Sequence, residues 1–221
     1  MRPYSKLALV DAFMHQAQTV PIDSITVKSL VAETEMNPKT FYYHFNGITD
    51  MLKWSFEREL SALFPDSLVS AESDWGNDIL KIMSYLEKRQ SILCQIADSK
   101  YWPEMRFFFC QMYERYCALL LKGVIKIVER TDNIPSSISD EAFQINVHYY
   151  GLLFYSYAER WVLSGCSVPK EKYFKNCIDV IGEKAMHDAI AVFAHRYDNR
   201  RKFRVVNTHN RESPEILGFF R

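Results

Sequence analysis

Apolar residues along this chain recur mainly at helical spacing rather than in alternation. Leu9, Ala12, Phe13 and Ala17 fall at i, i+3, i+4 and i+8, which predicts a first helix over about residues 5–18. Pro21 breaks the chain. Thr26 then caps a second helix in which Val27, Leu30 and Val31 keep the period to about Thr34. Asn37-Pro38 pairs a good N-cap with a residue preorganised for the first helical position, so a third helix is predicted over 38–45, after a turn at 35–37. Phe41 and Phe45, one turn apart, form its core face. Each residue is rotated by about 100° from the last, so Lys39, Thr40, Tyr42, Tyr43 and His44 lie largely on other faces.

A fourth helix is expected from about Ile48 to Phe64, ended by Pro65, with Met51, Leu52, Phe56 and Leu60 available for packing. Further helices are predicted near 74–89, 91–98, 103–130, 139–164 and 170–196. Turn signals stand at Ser99-Lys100, from Thr131 to Pro135 and from Gly165 to Pro169, and Gly182 is a place where the last helix can split. From about Asp198 the chain turns polar and basic, and its end, NTHNRESPEILGFFR, has no clear period. The expected fold is all-α: an N-terminal three-helix head over 1–47, a C-terminal helical bundle over 48–197, and a polar, partly basic tail over 198–221.

Composition supports this reading. The 221 residues are 48% hydrophobic, enough for a substantial core, and only 7 Gly and 8 Pro interrupt the helical pattern. No apolar run reaches the roughly 18–20 residues that span a bilayer, and Met1-Arg2-Pro3-Tyr4 does not open a signal peptide, so the cytoplasm is the expected location. The five cysteines are odd in number and include no CxxC, which points to neither a disulfide framework nor a zinc site. Cys110 and Cys117 share a helix face and read as buried structural residues rather than a thiol sensor. There is no HExxH, no Gly-rich phosphate loop, and no Ser or Cys set beside a His in a recognisable motif; no catalytic residue, metal or cofactor is expected.

Two short helices joined by a three-residue turn, the second polar on one face, make a helix-turn-helix pattern. Lys39 suits guanine acceptors or phosphate, and Thr40 suits a base edge or a thymine methyl group. The hydroxyls of Tyr42 and Tyr43, and the ring of His44, reach phosphates. Thr26, as a cap, sets a helix N-terminus beside a phosphate.

The stretches Leu9 to Phe13, ITVKSLVAETEMNPKTFYYHF (25–45) and Thr49-Asp50-Met51-Leu52 together resemble the tetracycline-repressor (TetR) family of bacterial transcriptional regulators. The resemblance covers about residues 5–60. It implies a homodimer whose heads bind a palindromic operator and whose helical bodies bind a small effector. By position it implies DNA contacts from Thr26, Lys39, Thr40, Tyr42, Tyr43 and His44, with Asn37 beside the backbone. The phrase YYHFNGITDMLKWSFEREL is similar to the branch related to activators of dihydroxyacetone kinase operons. Three positions depart from the family pattern. Glu35 stands where Gly is common and must either take a left-handed conformation or reshape the turn. Ile48 stands where many members carry a phosphate-binding Lys, and Gly47 is a weaker cap than the usual Ser.

Residues 1–60 hold six Lys/Arg against seven Asp/Glu, so the head lacks a strongly basic footprint and its DNA binding is expected to depend only shallowly on salt. In the body, aromatic residues crowd two predicted helices. Trp102, Met112, Tyr113, Tyr116, His148 and Phe154 are candidates to line an effector cavity, the alternative being core packing and a dimer interface. His148 alone reads as a satisfied core or interface histidine. The last two long helices are the expected dimer interface, as in the family. The run Arg196, Arg200, Arg201, Lys202, Arg204 is either a solvated helix end or a contact to an anion. A protein coregulator is an alternative to the small effector, and a regulator-like fold acting mainly through protein contacts is the alternative function.

Overall fold

A computed structural model describes residues 3–63, 75–132 and 139–181 of the protein. Among the described residues the chain forms nine α-helices and one 3-10 turn, with no strand. The helices are α1 (Pro3–Gln16), α2 (Val27–Glu33), α3 (Pro38–His44), α4 (Ile48–Leu63), α5 (Trp75–Lys88), α6 (Gln90–Ala97), α7 (Trp102–Asp132), α8 (Asp140–Leu163) and α9 (Lys170–Ile181). The fold is therefore all-α, a helix-turn-helix head followed by a helical bundle.

The apolar stripe of the first helix is buried as a unit: Leu9, Ala12, Phe13 and Ala17 all enter the core. They pack with Leu30, Val31, Phe41, Phe45, Met51 and Leu52 in a cluster that continues without a break into Ile96, Met105, Phe109 and Trp161 of the body. The long helix α4 makes this continuity possible. Phe56 on α4 meets Phe109 on α7 edge to face at 5.1 Å. Around that contact, Lys53 reaches Glu104 at 3.1 Å and Arg115 reaches Glu57 at 3.0 Å. Glu59 accepts from Tyr85 at 2.7 Å and from Arg89 at 2.6 Å.

Helices α7 and α8 run antiparallel. Arg106 pairs with Glu159, Tyr113 lies edge-on to Tyr155, and Glu114 faces both Gly151 and His148, so numbers rise along one helix as they fall along the other. The backbones come close at Gly151, where an added Cβ would lie 2.7 Å from Glu114 Cγ and 3.0 Å from Glu114 Cα. A side chain can swing away, but a helix backbone cannot. Gly151→Ala is expected to force the two helices apart and lower stability by about 1–3 kcal/mol, read as a lower thermal midpoint. An unchanged midpoint would mean that the pair separates without strain.

Helix α8 ends in a Schellman motif. Cys166 N–H donates to Trp161 O and Gly165 N–H to Val162 O, both at 3.0 Å, with Gly165 in the left-handed region at φ 77°. The Trp161 indole N–H then donates to Val168 O at 2.8 Å and its ring stacks on Tyr173, which docks α9.

Helix ends differ from the expected ones by one or two residues, as fraying and capping commonly shift them. The 3-10 turn Ile22–Ser24 was not expected: beyond Pro21, the isolated Ile22 and Ile25 bury their side chains and wind the connection tightly. The Pro65 stop, the turn at 133–135, the last helix beyond Ile181 with Gly182, the basic run 196–204 and the tail 198–221 lie outside the described residues.

Candidate nucleic-acid interface

Both predicted caps are built as their chemistry requires. Thr26 Oγ1 accepts from Ser29 N–H and Ser29 Oγ accepts from Thr26 N–H, each at 3.1 Å, a reciprocal capping box at the start of α2. Asn37 Oδ1 accepts from Lys39 N–H at 2.9 Å, and Pro38 occupies the first turn of α3. The side chain of Asn37 is thus committed to holding α3. Gly47 gives α4 no side-chain cap; Asp50 instead reaches back to accept from Asn46 N–H at 2.9 Å.

The turn between α2 and α3 uses the first of the two options open to Glu35, which sits in the left-handed region at φ 53°. A non-glycine residue there costs on the order of 1 kcal/mol, held in place by Met36 N–H donating to Val31 O at 2.9 Å. Ile48 is buried in the core rather than displayed.

The faces of α3 divide sharply. Phe41 and Phe45 are 0% and 3% exposed, whereas Tyr42 and Tyr43 are 60% and 66% exposed. Lys39 is exposed, and Thr40 and His44 are half-buried, His44 with its ring against Tyr43 and Phe45. Lys39, Thr40, Tyr42, Tyr43 and His44 therefore share one short helix, and Thr26 and Lys28 stand exposed at the start of α2. Where the head packs on α4, Lys6 lies over the rings of Phe45 and Trp54, and Arg58 lies over Trp54.

A polar network locks α1 to α2. His15 Nδ1 lies 2.8 Å from Glu33 Oε1, Gln16 Nε2 donates to Glu33 Oε2 at 2.7 Å, and Ser29 Oγ donates to Gln16 Oε1 at 2.8 Å. The hydrogen bond from Gln16, followed by that with His15, holds the Glu33 carboxyl below its ordinary 4.5. A depressed carboxyl stabilises the fold above its unfolded pKa and loses that contribution as pH falls through the lower folded value. Head stability is accordingly expected to decline below about pH 4.5, with a shallower decline in Glu33→Gln when thermal unfolding is followed against pH. Equal slopes would remove Glu33 from the account.

Among the described residues of the body, small cavities of about 30, 50 and 50 Å³ lie between α4, α5, α6, α7, α8 and α9. Tyr113 borders all three, Tyr116 the first two, Met112 the first, Phe154 the second and Trp102 the third. His148 borders none of them: it points outward and lies 2.6 Å from Glu114. The lining also includes Phe56, Leu60, Ile82, Leu86 and Leu93, apolar residues whose spacing reads as ordinary core. Burial pushes the phenol of Tyr113 and the thiols of Cys110 and Cys117 upward, Cys117 to about 12, so these groups are neutral near pH 7. Among the described residues no group of three or more His, Cys, Asp or Glu is placed to hold a metal ion, and no helix is long and apolar enough to cross a membrane.

The described arrangement is a helix-turn-helix head continuous with an all-helical body. A solved structure described as dihydroxyacetone kinase operon activator DhaS is similar over 86% of this chain and 97% of its own, with a TM-score of 0.58 and 20% identity. No family model and no curated protein matches the chain.

Proposed function

We propose that the protein is a dimeric, sequence-specific DNA-binding transcriptional regulator. The observation that carries this reading is the division of α3, with Phe41 fixed in the core while Lys39, Tyr42 and Tyr43 project outward together. A helix held that way presents hydrogen-bonding groups to a major groove at a fixed angle, with Thr40 and His44 beside them and Thr26 and Asn37 close to the DNA backbone. The head spans about 1–47 and the effector-binding and dimerisation body about 48–197, with α4 packed into both. The likeness to an operon activator supports the reading at the level of fold.

A second copy is supported by α8, whose Ile145, Tyr149 and Leu152 are exposed at i, i+4 and i+7 and so form an apolar stripe. Two heads then read two half-sites of a palindromic operator. An effector occupies the region around Tyr113. Because ligand chambers run to some hundreds of Å³, it favours a body conformation more open than the one described, and that difference is its means of control.

The test is the salt dependence of binding to a preferred duplex. Lys28 and Lys39 are the exposed cations on α2 and α3, so two heads present four. At roughly 0.9 per phosphate neutralised, log K against log salt should have a slope of about −4. A slope near zero, or binding that is equally tight on any duplex, would contradict the proposal.

A further inference from the structure

The head is joined to the body at a second place besides α4. Asp23, in the 3-10 turn just ahead of the α2 capping box, meets Lys100 in the corner between α6 and α7. Lys100 donates twice to the same residue: its backbone N–H to Asp23 Oδ1 at 3.1 Å, and its ammonium to the Asp23 carbonyl oxygen at 2.8 Å. Both ends are flanked by buried neighbours. Ile22 and Ile25 bury themselves on either side of Asp23, while Tyr101 is buried beside Lys100 and lies under its ammonium at 5.1 Å. The Asp23 carboxylate also sits before the first turn of the 31-residue α7, where negative charge is favoured.

A single exposed ion pair fixes little, because long side chains pivot around it. Two bonds from Lys100 to Asp23, one from main chain to side chain and one from side chain to main chain, define an angle. The same start of α7 also takes Lys53 of α4 through Glu104, so the 3-10 turn of the head and the connecting helix α4 are both referred to one short stretch of the body. That stretch leads directly into Trp102, Phe109, Met112, Tyr113 and Tyr116 at the cavities.

We infer that Asp23 and Lys100 are positioning residues that set the angle of the head on the body, and through it the spacing between half-sites that the dimer accepts. The inference rests on the proposed operator reading. It assigns the pair no contact with DNA.

The experiment takes the full-length wild type, Asp23→Ala, Lys100→Met and Lys100→Arg through selection from duplexes carrying two copies of the preferred half-site separated by variable spacers. Wild type and Lys100→Arg are expected to enrich one narrow spacing. Asp23→Ala and Lys100→Met should enrich the same half-site over a broader range of spacings, with affinity for the wild-type spacing lower by roughly five- to ten-fold. Unchanged affinity for an isolated half-site would show that their heads are folded. If both variants keep the single spacing at wild-type affinity, the latch is overturned and the DNA reading stands. Loss of half-site binding by both would assign the bonds to folding rather than to angle, which also overturns the inference. Failure of the wild type to enrich any half-site overturns the operator reading, and the latch with it.

Discussion

Replacing Phe41 with Ala is expected to destabilise the head severely. Phe41 is fully buried where α1, α2, α3 and α4 meet, its ring 5.7 Å from Phe45 and 5.5 Å from Tyr42. Removing a ring from such a site costs about 3–5 kcal/mol, the lost transfer energy plus the cavity left behind. A domain of ordinary stability has only about 5–15 kcal/mol in total, so a large share of the margin disappears. Denaturant unfolding should show the loss, and DNA binding should fall with it. Phe41→Leu should recover most of the stability. A Phe41→Ala protein within about 1 kcal/mol of wild type would mean that α3 is held by something other than this packing.

The opposite pattern is expected for Lys39→Ala and Tyr43→Ala. Both side chains are exposed, and the cap of α3 uses the backbone N–H of Lys39, which alanine keeps. Thermal unfolding should therefore be nearly unchanged in Lys39→Ala and only slightly lowered in Tyr43→Ala, which gives up its ring contact with His44, about 1 kcal/mol. A direct base or phosphate contact is worth about 1–3 kcal/mol, and a dimer loses it twice, so each substitution should weaken operator binding by at least roughly 30-fold. Lys39→Ala should also flatten the salt slope by about two. Wild-type affinity in both variants would remove α3 from the interface even if the protein binds DNA. Taken together, these substitutions separate the two faces of one short helix, one acting on stability and the other on recognition.

The parts of the fold that were legible in the sequence are those set by neighbours along the chain. Thr26 and Asn37-Pro38 announce helix starts because capping is a matter of two or three residues, and the Leu9 to Ala17 stripe shows its period directly. The two options for Glu35 could likewise be framed from the sequence, because the conformation of a turn residue is a local matter, and the structure takes the left-handed one. Contacts between distant residues were not legible. Nothing local to Asp23 or Lys100, 77 residues apart, marks them as partners, and Gly151 carries no sign that the backbone of Glu114 lies against it. The pairing of His148 with Glu114 is of the same kind. Among the cavity candidates the aromatic residues of α7 drew notice, while Ile82, Leu86 and Leu93 looked like any apolar stripe. Only packing distinguishes a residue beside a cavity from one sealed in the core.

On the proposed function, the near-neutral charge of the head places weight on hydroxyls, backbone groups and a few lysines rather than on a general attraction to phosphate. Such an interface gains its affinity from fit, so its preference for one sequence should be large relative to its affinity for DNA at large. The measurement that tests this most directly is selection of bound duplexes from a random pool by the full-length protein at about physiological salt. The account predicts enrichment of a palindrome whose half-sites lie about 34–36 Å apart or a multiple of it. A pool that stays random after repeated rounds, with the protein folded and dimeric, would contradict it.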